Sequence, residues 1–400
     1  MSDQILQTRS GDAVDSTEVP YSAIFPDIYS RSVTSRPLGY GIDFGTSNSA
    51  VAIAYADRVE VVPLGSSKTL PSFVYLHRAG RRTAGDEAVK TFLKSGHEKT
   101  DCWNCSLAPY GWDTDCRQYR KGGGCNDARL LSGVKHELAK LGFAGTNSWA
   151  TDFSVGSLVS VVLKRLKAEA DAAAGESATA VVLGHPVVFA GADPADRAAS
   201  DAEAFRRLEQ AAKEAGFTDV AFLPEPTAAV IGGPSHRGVE VAVDFGGGTF
   251  DVAVMDSRGG VPRIAGLSGV AVGGETLDGV LFETSVGPAL GLEVRRTAFE
   301  SMIRAELNLV RETISRALES AKVTPQDVGR VLLTGGSAYI PAFRADLAEM
   351  FGAQRLEQRD AFTAVVHGLG VRAQQLWSST VPSPPRRRAQ RPSRGLGRGA

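Results

Sequence analysis

The sequence has no excess of either charge: over 400 residues, 44 Lys and Arg stand against 45 Asp and Glu, a formal net charge of −1. A protein that coats nucleic acid or lies along a membrane by bulk charge is thereby excluded, and any such contact must be local. No uninterrupted apolar run approaches the length of a membrane-spanning helix, so membrane insertion is not expected. The opening, MSDQILQTRSGDAVDSTEVP, lacks a basic stretch followed by an apolar core and does not read as an export signal. These absences give the expectation of a cytoplasmic chain. Cysteine is scarce as well, with four residues gathered in one segment, Cys102, Cys105, Cys116 and Cys125. In a reducing compartment a pair of disulfides is not the ordinary use of four such residues, and metal binding competes with it.

What is present is ordinary globular material, 43% hydrophobic and 22% charged, which excludes a mostly disordered or fibrous chain. The length exceeds one ordinary core and calls for two or three domains or one large two-lobed fold. Residues 1–38 are polar, carry Pro20, Pro26 and Pro37, and read as a flexible leader. Residues 381–400, VPSPPRRRAQRPSRGLGRGA, read as a disordered basic tail. Its arginines admit a nucleic-acid or acidic-lipid contact, although a solvated tail is the commoner meaning of such a run.

Between these ends, apolar strands that finish in glycine turns alternate with helical patterns, the signature of an α/β fold. Helical spacing runs from Phe153 to Ala174 and a second helix from Ala195 to Gly216, each followed by a short apolar strand. Strands are expected at Ala50 to Tyr55 and Val59 to Leu64, after the first glycine turn. That arrangement then repeats. GIDFGTSNSAVAI at 41–53 stands beside VAVDFGGGTFDVAVM at 241–255, each with an Asp ending a strand, a glycine turn with Thr or Ser, and a returning strand.

Glycine lets backbone N–H groups approach phosphate oxygens, and the neighbouring hydroxyls can donate to the same oxygens. A strand-end Asp in each copy suits a hydrated Mg²⁺, which uses one or two carboxylates together with phosphate oxygens. One such turn alone is more often a plain hairpin; two in corresponding positions can grip a polyphosphate from both sides. Neither copy is GxxxxGK[ST] or GxGxxG before a long helix, so the P-loop and the dinucleotide-binding readings fail. A third element, VLLTGGSAYIP at 331–341, brings a strand into Gly335 and Gly336. Close approach to a sugar or flat ring explains that pair, and so does a plain strand-to-helix turn.

These residues resemble the ATPase domain of the DnaK-type heat-shock chaperones, within the actin, sugar-kinase and heat-shock ATPase superfamily. GIDFGTSNS resembles that family's first phosphate motif, VDFGGGTFDV its second, LPEPTAAVIGG at 223–233 its connecting segment and LLTGGSAYIP its adenosine motif. TLPSFVYL at 69–76, AGDEAVK at 84–90, VGGETLD at 272–278 and AFTAVVHGLG at 361–370 are smaller echoes. The resemblance implies a two-lobed, actin-like (ribonuclease H-like, duplicated) fold: a first lobe at 39–222 with a cysteine-rich insertion at about 100–126, and a second lobe at 223–380. It implies ATP or ADP with Mg²⁺ in the cleft. Carried over, Asp43 and Asp244 hold the metal's waters. Gly45, Thr46 and Ser47 on one side, and Gly246, Gly247, Gly248 and Thr249 on the other, hold the β- and γ-phosphates. Glu225 orients water and metal, Asp251 supports the second turn, Lys135 in RLLSGVKHELAKLG stands for the catalytic lysine, and Gly335, Gly336 and Ser337 lie along the adenosine.

Three departures accompany the resemblance. The chain ends soon after Trp377, as in the short YegD-like relatives, so no peptide-binding domain is expected. The stretch between VGGETLD and RRTAFESMIRAEL is short for the family, which shortens the outer part of the second lobe and removes charged residues that clasp the adenine. The insertion's CxxC pair, with Cys116 and Cys125, is compatible with a structural Zn²⁺, with free thiols, or with disulfides; His97 or His136 could replace a cysteine ligand. The expected function is a stand-alone ATP-binding protein, a slow Mg-dependent ATPase with a chaperone-like or regulatory role and a protein client. A catalytically dead scaffold and a filament-forming actin-like protein are the alternatives, and a sugar kinase fits the motifs less well.

Overall fold

The computed structural model describes residues 36–94, 128–148, 151–234, 236–260, 262–285, 294–360 and 362–378. Residues 1–35, the four cysteines, His97 and the arginine tail lie outside the described residues. In chain order the elements begin with strands β1 (Gly39–Phe44), β2 (Asn48–Ala54), β3 (Val59–Val61), β4 (Leu70–Pro71), β5 (Val74–His77) and β6 (Arg82–Ala84), then helix α1 (Asp86–Lys94). Strands β7 (Ala128–Leu131), β8 (Gly145–Ser148) and β9 (Thr151–Ser154) lead to helix α2 (Val155–Ala174), strand β10 (Ala180–His185), helix α3 (Arg197–Glu214), strand β11 (Asp219–Pro224) and helix α4 (Glu225–Ile231). Strands β12 (Val239–Phe245), β13 (Phe250–Asp256) and β14 (Arg263–Val270) follow, then helices α5 (Gly274–Ser285), α6 (Arg296–Met302) and α7 (Arg304–Ala321). Strand β15 (Val328–Thr334), helix α8 (Pro341–Phe351), strand β16 (Leu356–Gln358) and helix α9 (Ala364–Trp377) close the series.

Two sheets share one strand plan. The first runs β11-β10-β1-β2-β3 with β4 beside β2, and the second runs β14-β13-β12-β15-β16. In each, the strand that ends in the motif Asp pairs antiparallel with the next strand through the glycine turn, Asp43 opposite Ala50 and Asp244 opposite Asp251. On its other side it pairs parallel with a strand reached through helical crossovers, β10 in the first sheet and β15 in the second. The sequence repeat is therefore a topological repeat, because a hairpin is local and its register follows from the turn.

Helices α2 and α3 bury one face of the first sheet, through Leu158, Val159, Val162, Leu163 and Leu166 against Ile42, Val181 and Leu183. Ser154 starts α2 by accepting the Ser157 N–H at 3.1 Å, and Gly175 ends it in the left-handed region. The second sheet is buried under α7 and α8, with Leu307, Val310, Ile314, Phe343 and Leu347 against Val241, Val243 and Leu333. The strand expected at Val59 to Leu64 stops at Val61, since Pro63 has no N–H to continue a ladder.

Helix α9 crosses back: although it follows the second sheet in sequence, Val365, Leu369 and Ala373 pack on Ala54 and Val182 of the first. The approach is close enough that a Cβ on Gly41 would lie 2.5 Å from the Leu369 carbonyl carbon, so backbone meets backbone there. Helix α4 lies against both sheets, with Ala228 and Ala229 in the cluster under α9 and Val230 among Ala242, Met255 and Leu332. Among the described residues no helix is long and apolar enough to cross a membrane.

Candidate functional site

The two glycine turns face each other. A Cβ placed on Gly247 would stand 2.5 Å from Ser47 Oγ, and one on Gly248 would stand 2.7 Å from Thr46 Oγ1 and 2.5 Å from His136 Nε2. A side chain at either position would displace these hydroxyl and imidazole ends. The first turn is tied down by Ser72, which donates to the Gly45 carbonyl at 2.7 Å and whose N–H donates to the Ser47 carbonyl at 2.9 Å. The second is stitched to the start of α5 by Gly274 N–H to Gly246 O at 3.0 Å and Glu275 N–H to Gly247 O at 2.8 Å. Ser337 Oγ donates to the same Gly246 carbonyl at 2.9 Å, so the third glycine element joins the second turn. Gly335 has φ +81° and a Cβ there would lie 2.8 Å from Asp244 Oδ1; Gly336 is exposed beside the Phe362 ring.

Beneath the turns lies a cluster of charge. Lys135 Nζ donates to Glu225 Oε1 at 2.7 Å, with both side chains under a tenth exposed. Burial by itself pulls the ammonium down, but the carboxylates of Glu225, Asp43 and Asp251 outweigh it and hold Lys135 above its ordinary value. Asp43 is pushed well above the carboxylate range by burial and then by the charges of Glu225 and Asp244, against the pull of Lys135. Asp244 is raised to about 7 by burial and Glu225, with Lys135 and the Thr334 hydroxyl acting the other way. Asp251 is also pushed well up by burial and Glu225. Its Oδ1 accepts the N–H groups of Val187 at 2.7 Å and Val188 at 3.2 Å, which ties β13 of the second sheet to the segment after β10 of the first.

Four carboxylates thus face one ammonium, and three of them sit above their normal range, first because they are buried and then because they repel one another more than Lys135 offsets. A divalent cation supplies what is missing, and oxygen donors are what Mg²⁺ takes. Among the described residues no three acidic, His or Cys side chains close around an ion by themselves. The residues fit Mg²⁺ with a phosphate chain between the turns.

Sequence reasoning named Asp43, Lys135, Glu225, Asp244, Asp251, the two turns and the Gly335 to Ser337 element, and the fold brings all of them to this cleft. It missed Arg207 on α3, a buried guanidinium that donates to the carbonyls of Glu137 at 2.6 Å, Leu138 at 3.0 Å, Lys140 at 3.2 Å and Phe143 at 2.5 Å. Those carbonyls lie at the end of, and just after, the 3-10 turn Val134–Glu137 that carries Lys135, so Arg207 fixes the lysine's position from behind. Nothing in the sequence marks a residue that works through backbone carbonyls. Arg207→Met is expected to cost about 2 kcal/mol, since buried carbonyls lose their donor; urea denaturation measures it, and an unchanged midpoint refutes the clamp.

The family model described as "Hsp70 protein" matches residues 134–287 and 282–381. Among curated proteins the chain is similar to the chaperone protein HscA homolog of Burkholderia multivorans, at 27% identity over 85% of this chain and 59% of that protein. It is 28% identical to the homolog of Burkholderia mallei, with 85% and 59% covered, and 26% identical to that of Methylobacillus flagellatus, with 84% and 58% covered. The chain spans just under three-fifths of the length of these relatives. The family match takes in more than half of the sequence, including the Lys135 turn, the connecting helix, the second glycine turn and the third glycine element, and the chain belongs to the Hsp70 family.

Proposed function

We propose that this chain binds Mg·ATP between its two glycine turns and hydrolyses it slowly, as a two-lobed, actin-like (ribonuclease H-like, duplicated) ATPase whose second lobe is shortened between α5 and α6. The observation that carries the reading is the charge deficit under the facing turns: Asp43, Glu225, Asp244 and Asp251 against Lys135 alone. Asp43 and Asp244, on equivalent strand ends, would hold the water shell of Mg²⁺, which would neutralise charge on the phosphates. Backbone N–H groups and hydroxyls of Gly45, Thr46 and Ser47, and of Gly246 to Thr249, would cradle the phosphates from opposite sides. Lys135 would stabilise charge at the terminal phosphate, and Glu225 would hold Lys135 in place and align the attacking water. Gly335, Gly336 and Ser337 would lie along the nucleoside.

Asp251 joins the two sheets through the Val187 and Val188 amides and stands beside the same cluster. Nucleotide state would therefore bear on how the sheets sit together, which is the signal a chaperone-like or regulatory protein passes to a client. The relatives are named as chaperones, and a protein client is the corresponding partner here. Calorimetric titration with ATP and ADP, with and without Mg²⁺, tests the reading. Magnesium-dependent binding that is lost in Asp43→Asn is expected. A folded protein that binds neither nucleotide refutes the reading and favours a protein-interaction module on the same fold.

A further inference from the structure

We propose that His136 is a ligand of the terminal phosphate, and the residue by which this cleft distinguishes a nucleoside triphosphate from a diphosphate. The inference rests on the Mg·ATP reading and deepens it. His136 follows Lys135 on the 3-10 turn that Arg207 clamps, so its backbone is fixed. Its ring reaches the second glycine turn, with Nε2 2.5 Å from where a Cβ on Gly248 would stand, a point that is also 2.7 Å from Thr46 Oγ1. That Nε2 is shut off from solvent and has no hydrogen-bond partner. A buried ring nitrogen without a partner is costly, and inside a site it is free to pair with a ligand atom.

The other ring nitrogen supports the assignment. Nδ1 stands 3.5 Å from Glu275 Oε2 on α5. The ring is thereby oriented with Nε2 inward, and a ring protonated on both nitrogens can point Nδ1–H at Glu275 and donate Nε2–H to a phosphate oxygen. Glu275 is the residue whose N–H holds the Gly247 carbonyl, and the ring therefore spans from the lysine turn to the second glycine turn. Lys135 is committed to Glu225 at the floor of the cleft. His136 Nε2 is left as an uncommitted side-chain nitrogen at the second glycine turn, on the 3-10 turn that carries Lys135.

The test measures Mg·ATP and Mg·ADP affinity for the natural protein, His136→Ala and His136→Gln. A hydrogen bond to a charged oxygen predicts a loss of roughly tenfold to a hundredfold in ATP affinity for His136→Ala, with ADP changed by less than about twofold. His136→Gln, which keeps a donor, should recover part of it. In the natural protein the His136 side-chain ¹⁵N resonance, assigned by its absence from His136→Gln, should move with Mg²⁺ and a non-hydrolysable ATP analogue and stay put with Mg·ADP. Equal losses for both nucleotides would make the ring a brace between the turns and overturn the proposal, as would no loss at all. Natural protein that binds neither nucleotide overturns the Mg·ATP reading as well. Magnesium-dependent binding lost in Asp43→Asn, without discrimination at His136, overturns this inference alone.

Discussion

The Asp244→Asn protein is expected to be more stable than the natural one at pH 8, by about 2–4 kcal/mol, and to have lost magnesium-dependent nucleotide binding. Burial and the Glu225 charge raise the Asp244 carboxyl from 3.8 to about 7 in the folded chain. Below about pH 4 the carboxyl is protonated in both folded and unfolded states and contributes nothing. Between pH 4 and 7 the unfolded chain ionises first, the folded state holds the extra proton, and stability falls as pH rises. Above pH 7 the penalty is complete, about 4 kcal/mol at 1.36 kcal/mol per pH unit. Asparagine never ionises and removes this contribution. Asp43 and Asp251 are shifted in the same direction, so the variant's stability should still fall with pH, less steeply. Urea denaturation of both proteins at pH 5.5 and pH 8 decides the matter; parallel pH dependences would show that Asp244 carries no such strain.

The hairpins are legible in the sequence because their information is local. An Asp at a strand end, a glycine turn and a returning apolar strand determine register over a dozen residues, so the pairing of β1 with β2 and of β12 with β13 follows from the sequence alone. The parallel partners β10 and β15 are visible as apolar strands, and the matching order of the two sheets follows from the repeat. Long-range returns are not visible. Helix α9 reads as the end of the second half, yet Gly41 and the Leu369–Gly370 backbone fit together on the first sheet. A glycine that admits a helix looks the same in sequence as one that makes a turn. The motif residues of the site are legible through the resemblance, but Arg207 and the approach of His136 to the second turn are not. Those roles depend on backbone carbonyl oxygens and on which distant side chain fills the space beside a glycine, neither of which is written in the local sequence.

The other large effect belongs to Lys135. Lys135→Met is expected to lower stability by about 3–5 kcal/mol near pH 8, because removing one partner of a buried ion pair leaves the other charge uncompensated. The loss should lie toward the upper end of that range, since Lys135 also faces Asp43 and Asp251. It should shrink in acid: without the ammonium those carboxyls stay protonated to higher pH in the folded state, and protonation relieves the repulsion. Glu225→Gln is expected to be milder, as Lys135 keeps the attraction of Asp43 and Asp251 while their mutual crowding eases. Adding Glu225→Gln to Lys135→Met should restore much of the lost stability, because the double variant has one carboxylate fewer to balance. Turnover should not follow stability back. Removing a preorganised positive group from the reacting phosphate costs about 10²–10³ in rate, and neither methionine nor glutamine replaces it. Denaturation curves and ATP turnover on the three variants separate the two roles. A Lys135→Met protein as stable as the natural one at pH 8, or a double variant that regains turnover together with stability, would mean that Lys135 is a structural cation and that the chemistry lies elsewhere in the cleft.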